Sequence, residues 1–399
     1  LGRPKVLLVT RNLPPLVGGM ERLNWNMARQ LARVADVLIV GPRGSAALAP
    51  EGVRVHEVAL MPLARFLWSA TWVVWREARR WRPDWVLAGS GLTAPLAWLA
   101  ARTCGARAAV YVHGLDLALR HRLYRLLWFP AIRRMDRVIA NSRATRLLAE
   151  ERGVPSEHIG LLHPGVEMPD STPFESDVPV FRMTHGLAKR PVLLSVGRLT
   201  ERKGLREFVR DVLPVIVAQR PSVVLIVIGD TAAQALHAKS QSVESIRELA
   251  ARLGLESNLR FLGVITDRQE LSAAYRAADV HVFPVREIPG DPEGFGMVAV
   301  EAAAHGLATV AYATGGVLDA VREGDSGRLV PPGDASSFAS AVLALLDSPL
   351  PREALRCHAE SFTWECFGEG LRDLLALPGM AGGAKGAGSS VQQSECDDA

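Results

Sequence analysis

Two carboxylates, Glu293 and Glu301, bracket the segment Glu293-Gly-Phe-Gly-Met-Val-Ala-Val-Glu301. An apolar, strand-like stretch precedes it and an Ala-rich helical stretch follows it. A helix start carries unpaired N–H groups and the positive end of the helix dipole, which suits a phosphate. Carboxylates beside such a start accept hydrogen bonds from hydroxyls. Phosphate and hydroxyls read together describe a sugar nucleotide. Matching cations lie upstream in Ser195-Val-Gly-Arg198-Leu-Thr-Glu-Arg-Lys203-Gly204. The fork of Arg198 and the point charge of Lys203, placed after a strand, suit a diphosphate.

Each position in the helix entrance has its own expected task. Phe295, Gly296, Met297 and Val298 offer backbone N–H groups to phosphate and sugar. Glu301 falls in the second helical turn, within reach of both ribose hydroxyls. Its Val-Glu-Ala-Ala-Ala surroundings are apolar, and an unpaired buried carboxylate is costly. Glu293 precedes the helix and faces the sugar. Elsewhere, Gly18 and Gly19 end the first strand's loop and let backbone approach a ligand without a Cβ in the way. They do not make the dinucleotide fingerprint, which needs Gly-x-Gly-x-x-Gly. His113 closes a strand in Tyr111-Val-His113-Gly-Leu-Asp116, and Asn141-Ser142 follows another, as a helix cap or as a cleft contact. Gly315-Gly316 marks a further tight loop.

These residues need a scaffold, and the sequence supplies two alternating series. Strands are expected at 5–10, 36–41, 53–58, 84–88, 107–112 and 136–140, with helices at 19–33, 64–81, 92–103, 117–134 and 142–152. Prolines 164, 169, 173 and 179 then interrupt the pattern. The second series has strands at 192–197, 223–229, 259–262, 279–283, 308–312 and 327–330. Its helices are expected at 204–218, 243–254, 268–277, 297–305, 334–347 and 363–377. The fold class is therefore α/β: two Rossmann-like, doubly wound domains facing a central cleft. The boundaries read as 1–170, a linker at 171–190, a second domain at 191–362, a closing helix at 363–377 and a disordered tail at 378–399.

A chain of 399 residues with 48% hydrophobic and 22% charged content reads as globular. Its longest apolar runs are roughly ten residues, half of what a membrane span needs. The N-terminus runs straight into a strand, with no signal peptide expected, and the numbering opens on Leu1. Four cysteines (Cys104, Cys357, Cys366, Cys396) lack paired or metal-like spacing and read as reduced thiols of a cytoplasmic protein. The net charge of +4 hides an asymmetry: residues 1–170 hold 24 Lys and Arg against 13 Asp and Glu, the remainder 22 against 29. Eight of nine tryptophans also precede residue 130. A basic, Trp-rich half suits an anionic surface, lipid or acidic glycan, and no nucleic-acid motif is present.

With these motifs on the page, the chain resembles the retaining glycosyltransferases of family 4 (GT4), which have the GT-B fold. The resemblance runs from residue 5 to residue 377. It rests on Glu293…Glu301, Gly-Arg198…Lys203-Gly and Thr-Gly315-Gly316…Gly327-Arg-Leu-Val-Pro-Pro-Gly333-Asp, with the glycine loop and Val-His113-Gly-Leu-Asp in support. It implies that Arg198 and Lys203 bind the donor diphosphate, Glu301 the ribose and Glu293 the donor sugar. It also implies that Gly19 serves the phosphate or acceptor side and His113 the sugar near the reaction centre. One departure stands out: Pro284-Val-Arg-Glu-Ile-Pro-Gly-Asp-Pro292 is longer than the family's compact form and resembles a variant of lipid-directed mannosyltransferases. It brings Glu287 and Asp291 in as further sugar contacts and tilts the donor from UDP-glucose toward GDP-mannose.

The activity this implies is transfer of a hexose from a GDP- or UDP-linked sugar to a lipid or glycan acceptor, without a metal. The rivals are a sugar-nucleotide-binding protein without transferase activity and an epimerase or phosphorylase on the same fold. Residues 61–85 combine Trp68, Trp72, Trp75, Trp81 and Trp85 with five arginines, and 119–134 mixes leucines with five more. Such stretches suit either an anionic membrane surface, peripheral on the inner face of the plasma membrane, or ordinary packing against the sheet.

Overall fold

Runs such as Val6-Leu-Leu-Val9 and Val224-Leu-Ile-Val-Ile228 are apolar on both faces, so each must be covered on both sides. In the computed structural model, which describes residues 2–119, 121–169, 177–231 and 241–378, they form the centres of two parallel sheets. The first holds β1 (Lys5–Val9), β2 (Asp36–Pro42), β3 (Arg54–Val58), β4 (Trp85–Ala88), β5 (Arg107–Val112), β6 (Arg137–Ala140) and β7 (Ile159–Leu161) in the order β3-β2-β1-β4-β5-β6-β7. The second holds β8 (Val192–Val196), β9 (Val224–Ile228), β10 (Leu259–Gly263), β11 (Val280–Phe283), β12 (Thr309–Tyr312) and β13 (Gly327–Val330) in the order β10-β9-β8-β11-β12-β13. Both orders reverse beside their first strand, and ligands of such sheets bind outside the strand C-terminal ends at that point.

Alternate side chains of β1 feed two cores. Leu7 and Val9 join Phe66, Val74, Ala97, Phe129 and Ile132, from the helices Leu63–Trp81, Ala94–Cys104 and Arg122–Arg133. Val6 and Leu8 join Leu23, Met27 and Leu31 of the helix Gly19–Ala32, and Phe367 and Leu371 of the helix Trp364–Leu374. The last helix thus returns to the first sheet. The chain passes between the sheets at two places that lie side by side: Val166 pairs with Thr363, and its N–H donates to the Phe362 carbonyl at 2.6 Å.

The structure departs from the sequence reading at several elements. The helix expected at 117–134 is two helices, Gly114–Ala118 and Arg122–Arg133. The one at 204–218 is interrupted by a π turn, Phe208–Val212, ahead of Pro214, whose missing N–H cannot close the regular ladder. The stretch read as a linker at 171–190 contains the helix Asp177–Thr184, with Phe181 buried against Leu187 and Val192 of the second sheet. Pro179 in its first turn is compatible with a helix. The helix Arg352–Glu360 and the three-residue β7 were not anticipated. The tail expected at 378–399 lies, beyond Leu377 and Pro378, outside the described residues.

Candidate active site

The second sheet builds half of the site from two loops. After β8, Arg198 is exposed, and Glu201–Lys203 forms a single 3-10 turn closed by Gly204. Gly204 has φ 68°, and a Cβ there would lie 2.0 Å from the Pro284 carbonyl oxygen, so only glycine fits. That contact locks the turn against the long loop 284–292. Lys203 Nζ sits 2.8 Å from Glu293 Oε2 and 4.6 Å over the Phe283 ring. Arg202 also bonds Glu293, and its Nε lies 3.2 Å from Asp291. Burial alone would raise the Glu293 carboxyl, but the charges of Arg202 and Lys203 hold it below the ordinary carboxylate value. Burial likewise lowers Lys203, with Glu293 opposing. Arg198 makes no ion pair among the described residues.

After β11 and its loop comes the helix entrance. Gly296 caps the helix Met297–Ala304 at φ 101°, with the Phe283 ring 2.9 Å from where a Cβ would stand. Gly315 and Gly316 press against the same segment. The Gly316 N–H donates to the Glu293 carbonyl at 3.0 Å, and a Cβ on Gly316 would meet the Gly294 carbonyl oxygen at 2.1 Å. The Phe295 side chain is buried and stacks on His163.

Glu301 is buried, as its apolar neighbours imply, but it is not unpaired. Arg22, from the helix Gly19–Ala32, bonds its carboxylate across the cleft, and the buried Tyr275 hydroxyl donates to it at 3.2 Å. Of the two added loop candidates, Asp291 faces Arg202, and Glu287 is exposed.

The first sheet supplies the opposite wall. A Cβ on Gly19 would lie 3.7 Å from Met297 Sδ, so the starts of two helices meet there. A Cβ on Gly18 would strike the Glu21 carboxylate at 2.3 Å. His113 follows β5; its backbone N–H donates to Asp116 Oδ2 at 2.9 Å, and its Nδ1 lies 3.4 Å from Asn141 Nδ2. Burial, opposed by Asp116, lowers the His113 pKa, so the ring is neutral near pH 7. Ser142, not Asn141, caps the following helix, accepting from the Thr145 N–H at 3.1 Å. Asn141 instead faces the second sheet: its Nδ2 is 2.7 Å from where a Gly294 Cβ would be. Gly114 approaches Pro292 in the same way, at 3.0 Å.

Among the described residues, the buried atoms His113 Nε2, Asn141 Oδ1, Ser90 Oγ and Arg11 Nε have no hydrogen-bond partner. All four residues follow C-terminal ends of first-sheet strands. Buried polar atoms in folded proteins are almost always satisfied, and these four, of thirteen such atoms among the described residues, lie at one end of the first sheet, where ligand hydroxyls could reach them. Arg202, Arg22, Tyr275, Ser90 and Arg11 were not singled out in the sequence. Only Arg202 carried a signal there, its place beside Lys203.

The chain is similar to known proteins in sequence and in fold. The profile described as "Glycosyl transferases group 1" matches residues 190–348, and that described as "Glycosyltransferase Family 4" matches residues 17–168. A GDP-mannose-dependent alpha-(1-6)-phosphatidylinositol monomannoside mannosyltransferase of Mycolicibacterium smegmatis is 28% identical over 93% of this chain and 98% of its own length. A D-inositol 3-phosphate glycosyltransferase of Geodermatophilus obscurus is 36% identical over 58% of this chain, which spans only half of that relative. Among solved structures, Anabaena HepE in complex with UDP superposes with a TM-score of 0.75 at 21% identity, covering 94% of this chain and 99% of that one. Sucrose-phosphate synthase from Thermosynechococcus elongatus gives the same TM-score at 22% identity, over 94% and 98% of the two chains. The fold is thus GT-B.

Proposed function

The chain belongs to family 4 of the glycosyltransferases, and from that premise we propose that it moves a hexose from a nucleoside-diphosphate sugar to a lipid or glycan acceptor, with retention at the anomeric carbon. The observation that carries this reading is the meeting of Lys203, Glu293 and a glycine-capped helix start with the orphaned His113 and Asn141 atoms across one cleft.

In the reaction the bond from the anomeric carbon to the phosphate oxygen breaks, and the diphosphate gains negative charge. Arg198, Lys203 and the N–H groups of Met297 and Val298 stabilise that charge where it develops. The acceptor oxygen attacks the same face and gives its proton to the departing phosphate. Glu293, tied to two cations, is a poor nucleophile and a good anchor for a sugar hydroxyl. His113, held neutral, can accept or donate a hydrogen bond at the sugar. Because protein cations meet the diphosphate, transfer needs no metal. The mannosyltransferase relative and the long loop 284–292 together favour GDP-mannose as donor and an inositol-bearing lipid as acceptor.

A lipid acceptor needs a surface that reaches it. The helices Leu63–Trp81 and Arg122–Arg133 cover the same face of the first sheet and expose Trp68, Trp72, Leu123, Leu126 and Leu127 among arginines. Trp85 is buried and Trp75 and Trp81 are partly buried, each beside an arginine, so they belong to the fold. Arg120 lies outside the described residues. No described helix is long and apolar enough to cross a membrane. This face is proposed to rest on anionic lipid at the inner side of the plasma membrane.

A thermal-shift panel of nucleotide sugars, followed by transfer assays with the stabilising donor, tests the reading. A GDP- or UDP-sugar should raise the melting temperature and be consumed when acceptor is present. Absence of any stabilising nucleotide sugar sinks it.

A further inference from the structure

Lys203 has one charge and two claims on it. Its Nζ lies 2.8 Å from Glu293, yet the donor-site reading above, on which this inference rests, needs it at the diphosphate. A buried carboxylate that loses its sole cation is destabilised or takes up a proton. Glu293 is not in that position, because Arg202 bonds it as well. Arg202 is mostly buried, with a side chain 13% exposed, and it is held from three directions. Its Nε lies 3.2 Å from Asp291, an ion pair without hydrogen-bond alignment. Its carbonyl accepts the Arg286 N–H at 2.7 Å, and Arg286 in turn pairs with Glu207 at 3.1 Å. The long loop 284–292 and the turn 201–203 are thereby stitched at two points, and Arg202 is the residue common to both, through its side chain at Asp291 and its carbonyl at Arg286.

We propose that Arg202 is a positioning residue: it keeps Glu293 ionised and in place at the donor sugar while Lys203 exchanges that carboxylate for the diphosphate, and Asp291 fixes Arg202 for the task. Two acids and two cations balance within this group, which leaves Arg198 as the surplus charge that first attracts a diphosphate. The fork of an arginine suits the post because it serves two carboxylates at once with fixed geometry, whereas a lysine presents a single mobile point. The longer loop then has a stated purpose: it brings Asp291 to Arg202.

The test separates the sugar from the diphosphate. Wild type, Arg202→Gln, Arg202→Lys, Asp291→Asn and Arg198→Ala are titrated calorimetrically with GDP and GDP-mannose, and with UDP and UDP-glucose. Arg202→Gln should bind the bare nucleoside diphosphate nearly as wild type does, and lose about tenfold or more for the nucleotide sugar, with kcat reduced further. Arg202→Lys should restore part of the loss, and Asp291→Asn should shift it in the same direction as Arg202→Gln. Asp291 is a loop residue, so its variant keeps the test open if Arg202→Gln fails to fold. Equal losses for both ligands would make Arg202 a phosphate ligand and overturn the proposal, as would unchanged binding and turnover. Arg198→Ala should lose both ligands alike. A wild-type protein that binds none of the four would bring down the donor-site reading itself, and this inference with it.

Discussion

Arg198 differs from Lys203, Arg202 and Arg22 in that it is exposed and makes no ion pair among the described residues, its charge reaching Glu293 only at longer range. Lys203 and Arg202 are held by Glu293, and Arg22 by Glu301. An exposed, unpaired arginine contributes little to stability, so Arg198→Ala should leave the melting temperature unchanged while transfer falls roughly 100-fold or more. Near-normal turnover in that variant would remove Arg198 from the site. His281 is the opposite case. It is fully buried on β11, its Nδ1 3.0 Å from Thr309 Oγ1, and burial, aided by the nearby Lys203 charge, pushes its pKa down to about 3. The unfolded chain takes up that proton near pH 6.5, the folded chain only near pH 3. Stability from this group is therefore complete above pH 6.5 and is lost as pH falls toward 3, by at most about 1.4 kcal/mol per pH unit. Urea denaturation at pH 7 and pH 4.5 should show a smaller loss for His281→Gln than for wild type; equal losses would refute the assignment. Spacing made Glu293, Glu301 and Lys203 legible in the sequence, since local order alone puts them at a helix mouth and a strand end. The partners Arg22 and Tyr275 were illegible, because they reach Glu301 only through folding.

At the scale of elements, every strand but β7 was read almost to the residue, since each is a short apolar run ended by a turn. Helices were harder, because their breaks leave less trace in the apolar pattern. In 117–134 the apolar and basic residues continue without a break, yet the backbone turns at Leu119 between two helices. In 171–190 the prolines suggested a linker and hid the buried Phe181 and Leu187. The helix Leu63–Trp81 shows why composition alone misleads. Its buried stripe is Phe66, Ala70, Val74 and Ala78, an ordinary packing face, and the membrane argument rests on what remains outside. Trp68 is 81% exposed and Leu126, on the neighbouring helix Arg122–Arg133, is 69% exposed. Trp68→Glu with Trp72→Glu should abolish flotation with anionic vesicles at low salt and leave soluble-acceptor turnover intact. Wild-type protein that stays with the soluble fraction would defeat the membrane contact.

Across the whole molecule, each sheet has its own core, and the last helix belongs to the first sheet although the second precedes it in sequence. Trp364, Phe367 and Leu371 are buried there, each worth about 1.5–3 kcal/mol by area. Truncation after Ser361 should destabilise the first sheet's half by several kcal/mol, read as a new early transition in denaturant. A single unchanged transition would show the helix to be dispensable. The pairing of Val166 with Thr363 has a consequence for how donor and acceptor sides meet. Two threads fastened side by side leave one line about which one half can swing, and they resist sliding and skew. On the proposed function, the gap between Arg198 and His113 would then open and close along a single arc, so that each closure brings the two side chains back to the same separation.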